Sequence, residues 1–198
     1  MMSHPTEEQE NTIEYRESRR LIHGDELRWL VSREQIRDAA TGQTLTRSFI
    51  RHPGICVIIP YLDDDKIVLL RQFRPAIKEE LWELPAGTLA GREENQIVVA
   101  TEAPESCAAR ELIEETGYAT GKLEKLTECY AIPGSGDELM HFFYAFELTK
   151  REQRLELGEA ISEVRGFSLS EIEAMIAGGE IRDAKTLIGL FYALRRKS

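Results

Sequence analysis

The chain has 198 residues, of which 42% are hydrophobic and 30% charged, and its formal net charge at pH 7 is −10. That length suits one domain of ordinary size, and the composition can bury a core, which excludes an intrinsically disordered chain. The acidic balance argues against nucleic acid as a partner, because non-specific binding to nucleic acid needs a basic surface. An anionic small substrate stays compatible with it, since bound metal ions can invert the local charge.

Membrane and secretory features are absent from the sequence pattern. No apolar run approaches the roughly 18 residues that cross a membrane, so no membrane partner is expected. The polar start of the chain has no apolar region of the kind that a secretory signal contains. Cys56, Cys107 and Cys129 are widely spaced and include no CxxC pair, which is typical of reduced cysteines in a core. We therefore expect a cytoplasmic protein.

The first fifty residues are predicted to form a small antiparallel β subdomain after a flexible terminus, residues 1–11. Strands are predicted over residues 12–22, 26–38 and 43–50. A unit this small and polar cannot bury a core alone. We expect residues 12–50 to pack on the main domain, residues 51–198, or on a second subunit, which favours a homodimer.

The main domain is predicted to mix strands and helices without a strict βαβ rhythm, which indicates an α/β fold, an α/β/α sandwich around a mixed sheet. Strands are predicted over residues 55–61, 66–73, 82–84, 123–130, 140–148 and 164–169. Helices are predicted over residues 170–177 and 183–196, in addition to one that begins near Pro104.

Two details of these elements can be tested against the structure. Asp63, Asp64 and Asp65 lack EF-hand spacing and lie between two strands, which predicts an exposed hairpin tip and not a metal site. In the last helix, the side chains expected to face the core are those of Leu187, Leu190, Phe191 and Leu194.

The helix that begins near Pro104 carries a stripe of acidic residues. Glu111, Glu114 and Glu115 are three or four positions apart and share one face, and Gly117 suits a left-handed helix end. Like charges at this spacing repel, and a hard divalent cation, which prefers oxygen ligands, would relieve the repulsion. The stripe therefore predicts a metal-binding helix, with a solvated acidic face as the alternative.

This stretch resembles the box of the Nudix hydrolases, G-x5-E-x7-R-E-U-x-E-E-x-G-U, in which U is a bulky apolar residue. The second half of the box is matched by Glu102, Arg110, Glu111, Leu112, Glu114, Glu115 and Gly117. Tyr118 stands at the last U position. Gly87, in Pro85-Ala86-Gly87, lies fifteen positions before Glu102 and not six. The segment 88–101 is therefore about nine residues longer than in the family pattern, an insertion that costs little loop-closure entropy.

Three further segments are similar to the branch of this family that acts on ADP-ribose and nucleoside diphosphate sugars. They are Arg71-Gln72-Phe73-Arg74, the proline loop (residues 132–138, Ile-Pro-Gly-Ser-Gly-Asp-Glu), and residues 179–186 near the end of the chain. The resemblance implies the Nudix α/β/α sandwich and covers the chain from about residue 47 to residue 194.

The resemblance also implies the metal chemistry. It assigns Mg²⁺, with Mn²⁺ as a substitute, to Glu111, Glu115 and the carbonyl of Ala86. Glu114 either assists as a metal ligand or pairs with Arg110, and both alternatives stay open. Arg110 would orient the glutamates around the metal.

The general base of this branch comes from a loop after the aromatic strand at residues 140–148. Glu156, Glu159 and Glu163 are the candidates, and Gly158-Glu159-Ala160-Ile161 is most similar to the family segment, which favours Glu159. The spacing to Val164 keeps Glu163 open. A solvated acidic loop is the alternative for each of the three.

Substrate contacts are expected from both arginines and acidic residues. Arg74 and Arg51 have the forked guanidinium that suits phosphates, with a salt bridge as the alternative, more so for Arg51. Glu83 and Glu138 match acidic positions near the cleft of the family. The histidines show no grouping that would hold zinc.

These features predict an Mg²⁺-dependent Nudix pyrophosphatase. It would cleave ADP-ribose or a related nucleoside diphosphate sugar into a nucleoside monophosphate and a sugar phosphate. In the homodimer that the small size of the N-terminal strand unit favours, residues 12–50 would form the subunit contact and touch the base of the substrate. The alternatives are a dinucleotide or oxidised-nucleotide substrate and, from another class, a non-catalytic nucleotide-sugar sensor.

Overall fold

The computed structural model describes residues 12–23, 26–95, 97–155 and 160–196, with side chains from residue 29 onward. In chain order the strands and helices are β1 (Thr12–His23), β2 (Glu26–Arg37), β3 (Thr44–Arg51), β4 (Ile55–Asp63), β5 (Lys66–Arg74), β6 (Glu79–Glu83), β7 (Ala86–Thr88), β8 (Gly91–Glu94), β9 (Ile97–Ala100), α1 (Pro104–Thr116), β10 (Tyr118–Ala119), β11 (Lys122–Tyr130), β12 (Leu139–Phe146), β13 (Thr149–Lys150), β14 (Ile161–Ser168), α2 (Leu169–Ala177) and α3 (Ala184–Arg196).

The N-terminal strands form the predicted antiparallel sheet, in the order β1-β2-β3. Along β2, the side chains of Leu30, Ser32 and Glu34 are fully buried while Val31 and Arg33 are exposed. This alternation is the period of two that a strand shows when one of its faces is covered. The division of function between residues 12–50 and 51–198 stays a prediction.

The main sheet is mixed, as predicted. Its strands follow the order β11-β12-β4-β5-β14, with β6 paired to β5 and β7 paired to β4. β12 runs parallel to β4, and the other neighbouring pairs are antiparallel. Asp63 and Lys66 pair at the tight turn between β4 and β5, which confirms the exposed hairpin tip.

The sheet is covered on both faces, and β4 shows this best. Cys56 and Ile58 pack in a cluster with Leu112 of α1, whereas Val57 and Ile59 pack in the cluster that contains Ile172 of α2 and Leu190 of α3. A strand buried on both faces reads as a continuous apolar run, which is how β4 appears in the sequence. The α/β/α sandwich is confirmed.

The inward face of α3 differs from the prediction. Leu190 and Ala193 are fully buried, whereas Phe191 is 56% exposed, so its predicted core position is wrong. The reason is Gly189: a Cβ there would come within 2.5 Å of Leu84 Cδ1, so the helix approaches the sheet along its smallest residue. This contact sets the rotation of α3 about its axis, and with that rotation the Phe191 side chain points away from the sheet.

The insertion within the box is a hairpin that the sequence patterns did not predict. β8 and β9 pair with each other and contact β2 of the N-terminal sheet. The Thr101 N–H donates to the Ala90 carbonyl at 2.7 Å, so the two ends of the insertion meet. The extra residues are thereby accommodated without separating the two halves of the box. Among the described residues, no helix is long and apolar enough to cross a membrane.

Candidate active site

Helix α1 begins and ends where its sequence indicates, and it buries two of its glutamates. Pro104 occupies the first turn, and Gly117 ends the helix in the left-handed region, with φ of 68° and its N–H donating to the Ile113 carbonyl at 2.9 Å. Glu111 is 6% exposed and Glu115 is 3% exposed. The alternative of a solvated acidic face is therefore excluded for these two carboxylates.

The turn at Pro85-Ala86-Gly87 lies directly against both buried glutamates. The Ala86 N–H donates to Glu115 Oε2 at 2.9 Å. A Cβ at Gly87 would lie 1.9 Å from Cδ and from Oε1 of Glu111, which no side chain allows. A larger residue at position 87 would therefore displace the Glu111 carboxyl or separate α1 from β7. This contact places the metal-ligand candidates Ala86, Glu111 and Glu115 together.

Arg110 joins the glutamates of the box. One of its terminal nitrogens donates to Glu111 Oε1 at 2.7 Å and to Glu114 Oε2 at 2.9 Å. Its Nε and other terminal nitrogen donate to the two oxygens of Glu102, at 3.2 and 3.0 Å. These contacts, with the one to Glu102 the strongest, raise the pKa of Arg110. Arg110 therefore fixes the orientation of three carboxylates, and its role beside a metal site stays a prediction.

The donor set of this turn fits a hard cation in type. Carboxylate and carbonyl oxygens are the ligands that Mg²⁺ prefers. Within the described ranges, however, no three His, Cys, Asp or Glu side chains converge as a ligand group. Oxygens of Glu111 and Glu114 are bonded to Arg110. The pairing of Glu114 with Arg110 is observed, and metal ligation by Glu111, Glu115, Ala86 and Glu114 stays a prediction.

A second charged network lies beside the same turn and includes residues to which the sequence assigned no role. Glu83, 1% exposed, accepts from Nε and a terminal nitrogen of Arg74, at 2.8 and 2.6 Å, and from Lys185 Nζ. Lys185 also donates to Asp183 Oδ2 at 2.9 Å. Burial would raise the pKa of Asp183, but Lys185 and the hydrogen bonds from Thr186 outweigh it and lower the pKa.

Asp183 could have been found from a local signal, whereas Lys185 could not. An Asp three residues before a Thr at the start of a predicted helix is a pattern typical of an N-terminal cap. In the structure, Asp183 Oδ2 accepts the Thr186 N–H at 2.9 Å. The contact between Lys185 and Glu83 joins positions 102 apart in sequence, and no local pattern predicts it.

The two networks lie close enough for their charges to interact. The charge of Glu115 acts on Arg74, whose hydrogen bonds to Glu83 are the main cause of its raised pKa. Glu138, in the proline loop, is close enough to Lys185 to feel its charge, while burial raises the pKa of the Glu138 carboxyl. Arg74 and Glu83 thus lie near the metal-ligand candidates, and Glu138 lies near Lys185; contact of these residues with substrate stays a prediction.

Arg51 lies apart from that group, between the N-terminal sheet and the proline loop. Its guanidinium bonds to Glu34 at 2.8 Å and to Asp137 at 3.0 Å. This is the salt bridge that the sequence left open as an alternative. A direct contact of Arg51 with substrate stays a prediction.

Of the three candidates for the general base, only Glu163 lies within the described residues. Glu156 and Glu159 lie outside the described residues, and Glu163 is exposed on β14 opposite Arg71. The segment before them is bonded to the end of α1: the Arg154 N–H donates to the Glu114 carbonyl at 3.1 Å and Gln153 Nε2 to the Glu115 carbonyl at 2.5 Å. Gln153 and Arg154 are therefore held at the end of α1.

Two thiols pack behind the turn, on the side away from the cleft. Cys56 Sγ and Cys107 Sγ are 2.9 Å apart, both fully buried, and both contact the Gly87 carbonyl. Burial raises the pKa of the Cys56 thiol. Together with Cys129 they are free cysteines, as predicted.

Comparisons with known proteins agree with this geometry. The NUDIX domain family model matches residues 50–188. An ADP-ribose pyrophosphatase of Bacillus subtilis (strain 168) is 37% identical over 152 residues, which cover 76% of this chain and 77% of that protein. A GDP-mannose pyrophosphatase of Citrobacter koseri is 36% identical over 152 residues, covering 72% of this chain and 73% of that protein. A solved structure titled as an ADP compounds hydrolase has a TM-score of 0.71 at 18% identity and covers 98% of this chain and 96% of its own, which shows the same fold.

Proposed function

The chain belongs to the Nudix family of hydrolases, and from that premise we propose that it cleaves the pyrophosphate bond of ADP-ribose or a related nucleoside diphosphate sugar. The products would be a nucleoside monophosphate and a sugar phosphate. The observation that carries the proposal is the contact of buried Glu111 and Glu115 with the turn at Gly87, beside the ion pairs of Arg74 and Lys185 with Glu83. The relatives that act on ADP-ribose and on GDP-mannose support the substrate class.

Glu111, Glu115 and the Ala86 carbonyl would hold Mg²⁺ or Mn²⁺, with Glu114 assisting. When bound, such an ion supplies charge neutralisation of the pyrophosphate and a water of lowered pKa. Arg110 keeps the carboxylates oriented through its bonds to Glu111 and Glu114. Buried carboxylates that are aligned before the ion arrives lose little freedom when it binds.

The remaining roles are assigned by position in the cleft. Arg74 and Lys185 would face the substrate phosphates, since their cationic groups converge on Glu83 beside the turn. Glu138 would contact the sugar or base. We assign the general base to Glu159, with Glu156 and Glu163 as alternatives, because the preceding residues are bonded to the end of α1.

We also propose a cytoplasmic homodimer in which residues 12–50 take part in the subunit contact. Exposed apolar side chains on that sheet, those of Val31 and Leu45, support a contact surface. The free, closely spaced thiols of Cys56 and Cys107 suit a reducing compartment,.

The proposal is tested by a substrate panel. ADP-ribose, ADP-glucose, GDP-mannose and UDP-glucose are incubated with the full chain and Mg²⁺, and the products are identified by mass spectrometry. We expect turnover of at least one of them to a nucleoside monophosphate and a sugar phosphate, and loss of turnover with EDTA. Cleavage of only a dinucleotide or an oxidised nucleotide would move the assignment to that substrate class, and binding without turnover would indicate a sensor.

A further inference from the structure

The proline loop is bonded to the end of β3 through its backbone. The Ile50 N–H donates to the Ser135 carbonyl at 2.9 Å, and the Asp137 N–H donates to the Ile50 carbonyl at 3.2 Å. Gly136 pairs with Ile50 as a parallel bridge, and a Cβ at Gly136 would lie 3.0 Å from the Ile50 carbonyl oxygen. The loop therefore takes its position from the N-terminal sheet.

Arg51, the next residue of β3, adds a side-chain link to the same loop. One terminal nitrogen donates to Asp137 Oδ2 at 3.0 Å, and the other donates to Glu34 Oε1 on β2 at 2.8 Å. The Glu34 side chain is fully buried, and the Arg51 side chain is 18% exposed. Because a buried carboxylate is stable only when it is paired, Glu34 keeps the guanidinium in place.

The other oxygen of Asp137 reinforces this link. Asp137 Oδ1 accepts the His52 N–H at 2.8 Å, so one carboxylate is held by two consecutive residues at the end of β3. A carboxylate bonded on both oxygens has little freedom to move. The loop residue next to it is Glu138.

Glu138 connects the proline loop to the residues around Lys185. His52 Nε2 lies 3.6 Å from Glu138 Oε2, and Lys185 is close enough for its charge to act on the Glu138 carboxyl. Lys185 in turn donates to Glu83 beside the Pro85-Ala86-Gly87 turn. A displacement of the loop would therefore move a carboxylate that faces the substrate site.

We propose that Arg51 is a positioning residue that acts through Asp137: it holds the proline loop and thereby sets the place of Glu138 in the cleft. The N-terminal sheet would then determine substrate affinity within the same chain, without contact between Arg51 and the substrate. This role replaces the direct phosphate contact that the sequence predicts for Arg51. The proposal rests on the proposed function, because the test measures affinity for the substrate assigned there.

The test compares KM and kcat for ADP-ribose with Mg²⁺ in the full chain and in Arg51→Met, Asp137→Asn and the double variant. We expect each single change to raise KM about tenfold or more with kcat within about threefold of the unchanged protein. The double variant should be no worse than the worse single variant, because both residues belong to one link. Arg47→Met is the matched control, since Arg47 is exposed on the same strand and bonds only the neighbouring Thr46 carbonyl in the described contacts; its KM should be unchanged.

A KM for Asp137→Asn that equals the unchanged value would overturn the proposal, because direct binding of substrate by Arg51 does not require Asp137. Additive effects in the double variant would overturn it as well. Amide hydrogen exchange of residues 132–138, measured without substrate, gives a second readout. It should become faster in Asp137→Asn and Arg51→Met but not in Arg47→Met, and equal exchange in all of them contradicts the link. If the unchanged protein does not turn over ADP-ribose, the KM comparison uses the best substrate of the panel. If it turns over none of the panel, the proposed function fails, and the exchange measurement alone decides on Arg51.

Discussion

Glu111 and Glu115 sit in the interior of the molecule, where a carboxylate lowers stability unless positive charge or hydrogen bonds compensate for its burial. Arg110 supplies part of that compensation for Glu111, and the Ala86 N–H does so for Glu115. Hydrophobic residues of similar volume would often be at least as stable at such positions. Buried carboxylates that lower stability, and that lie beside the ion-paired Arg74 and Lys185, favour a functional role over a structural one.

Gly87 is the residue on which this arrangement depends most simply. Gly87→Ala places a methyl group 1.9 Å from the present position of the Glu111 carboxyl, so that carboxyl, α1 or β7 has to shift. A misplacement of about 1 Å can cost roughly 10²-fold in rate. We expect kcat on the best substrate to fall by about that factor while the protein stays folded by circular dichroism.

Gly166→Ala is the matched control for this change. A Cβ at position 166 on β14 meets only the end of the exposed Leu62 side chain, at 3.1 Å, and that end can move. Its kcat should stay close to the unchanged value. Equal activity of Gly87→Ala and the unchanged protein would mean that the glutamates need not touch the turn.

At the scale of elements, the cleft is assembled by bonds between a side chain and a distant backbone. Thr186 Oγ1, at the start of α3, accepts the Leu84 N–H at 2.9 Å, and Thr186 is fully buried. Glu102, at the end of the insertion, accepts the Ala90 N–H at 3.2 Å while it binds Arg110. Each of these bonds fixes one element to the segment on either side of the Pro85-Ala86-Gly87 turn.

The contact between α3 and the strand before the turn gives a stability prediction. Thr186→Val keeps the shape of the side chain but leaves the buried Leu84 N–H without its acceptor, which costs about 1–3 kcal/mol of unfolding free energy. Urea unfolding measures this loss. Thr46→Val, an exposed position on β3, is the control and should change the free energy of unfolding by less than about 0.5 kcal/mol. Equal stabilities of the two variants would show that the Thr186 bond contributes nothing.

At the scale of the whole molecule, the sequence predicts those strands, helix ends and site residues that follow from local periodicity or from the spacing of the box. The apolar run of β4, the ends of α1 at Pro104 and Gly117, and the acidic stripe are of this kind. The fold follows from them because a strand that is apolar on both faces needs helices on both sides. The resemblance to the Nudix box then assigned roles to these residues, which their spacing alone could not do.

Features that depend on long-range contacts were missed or left open. Arg51 has its partners 17 and 86 positions away, at Glu34 and Asp137, so the sequence could not choose between a salt bridge and a phosphate contact. Lys185 meets Glu83 across 102 positions. The outward position of Phe191 follows from the close approach of Gly189 to Leu84, which helical periodicity does not contain.

The central claim is that Glu115 belongs to the metal-dependent hydrolytic site of α1, and one comparison of rates tests it most directly. Glu115→Gln removes the charge of a 3% exposed carboxylate, whereas Glu105→Gln makes the same change at an exposed position in the first turn of the same helix. With Mg²⁺ and the best nucleoside diphosphate sugar, we predict that kcat falls by about 10²-fold or more in Glu115→Gln and is unchanged in Glu105→Gln. A Glu115→Gln protein that keeps the kcat of the unchanged protein would contradict the account.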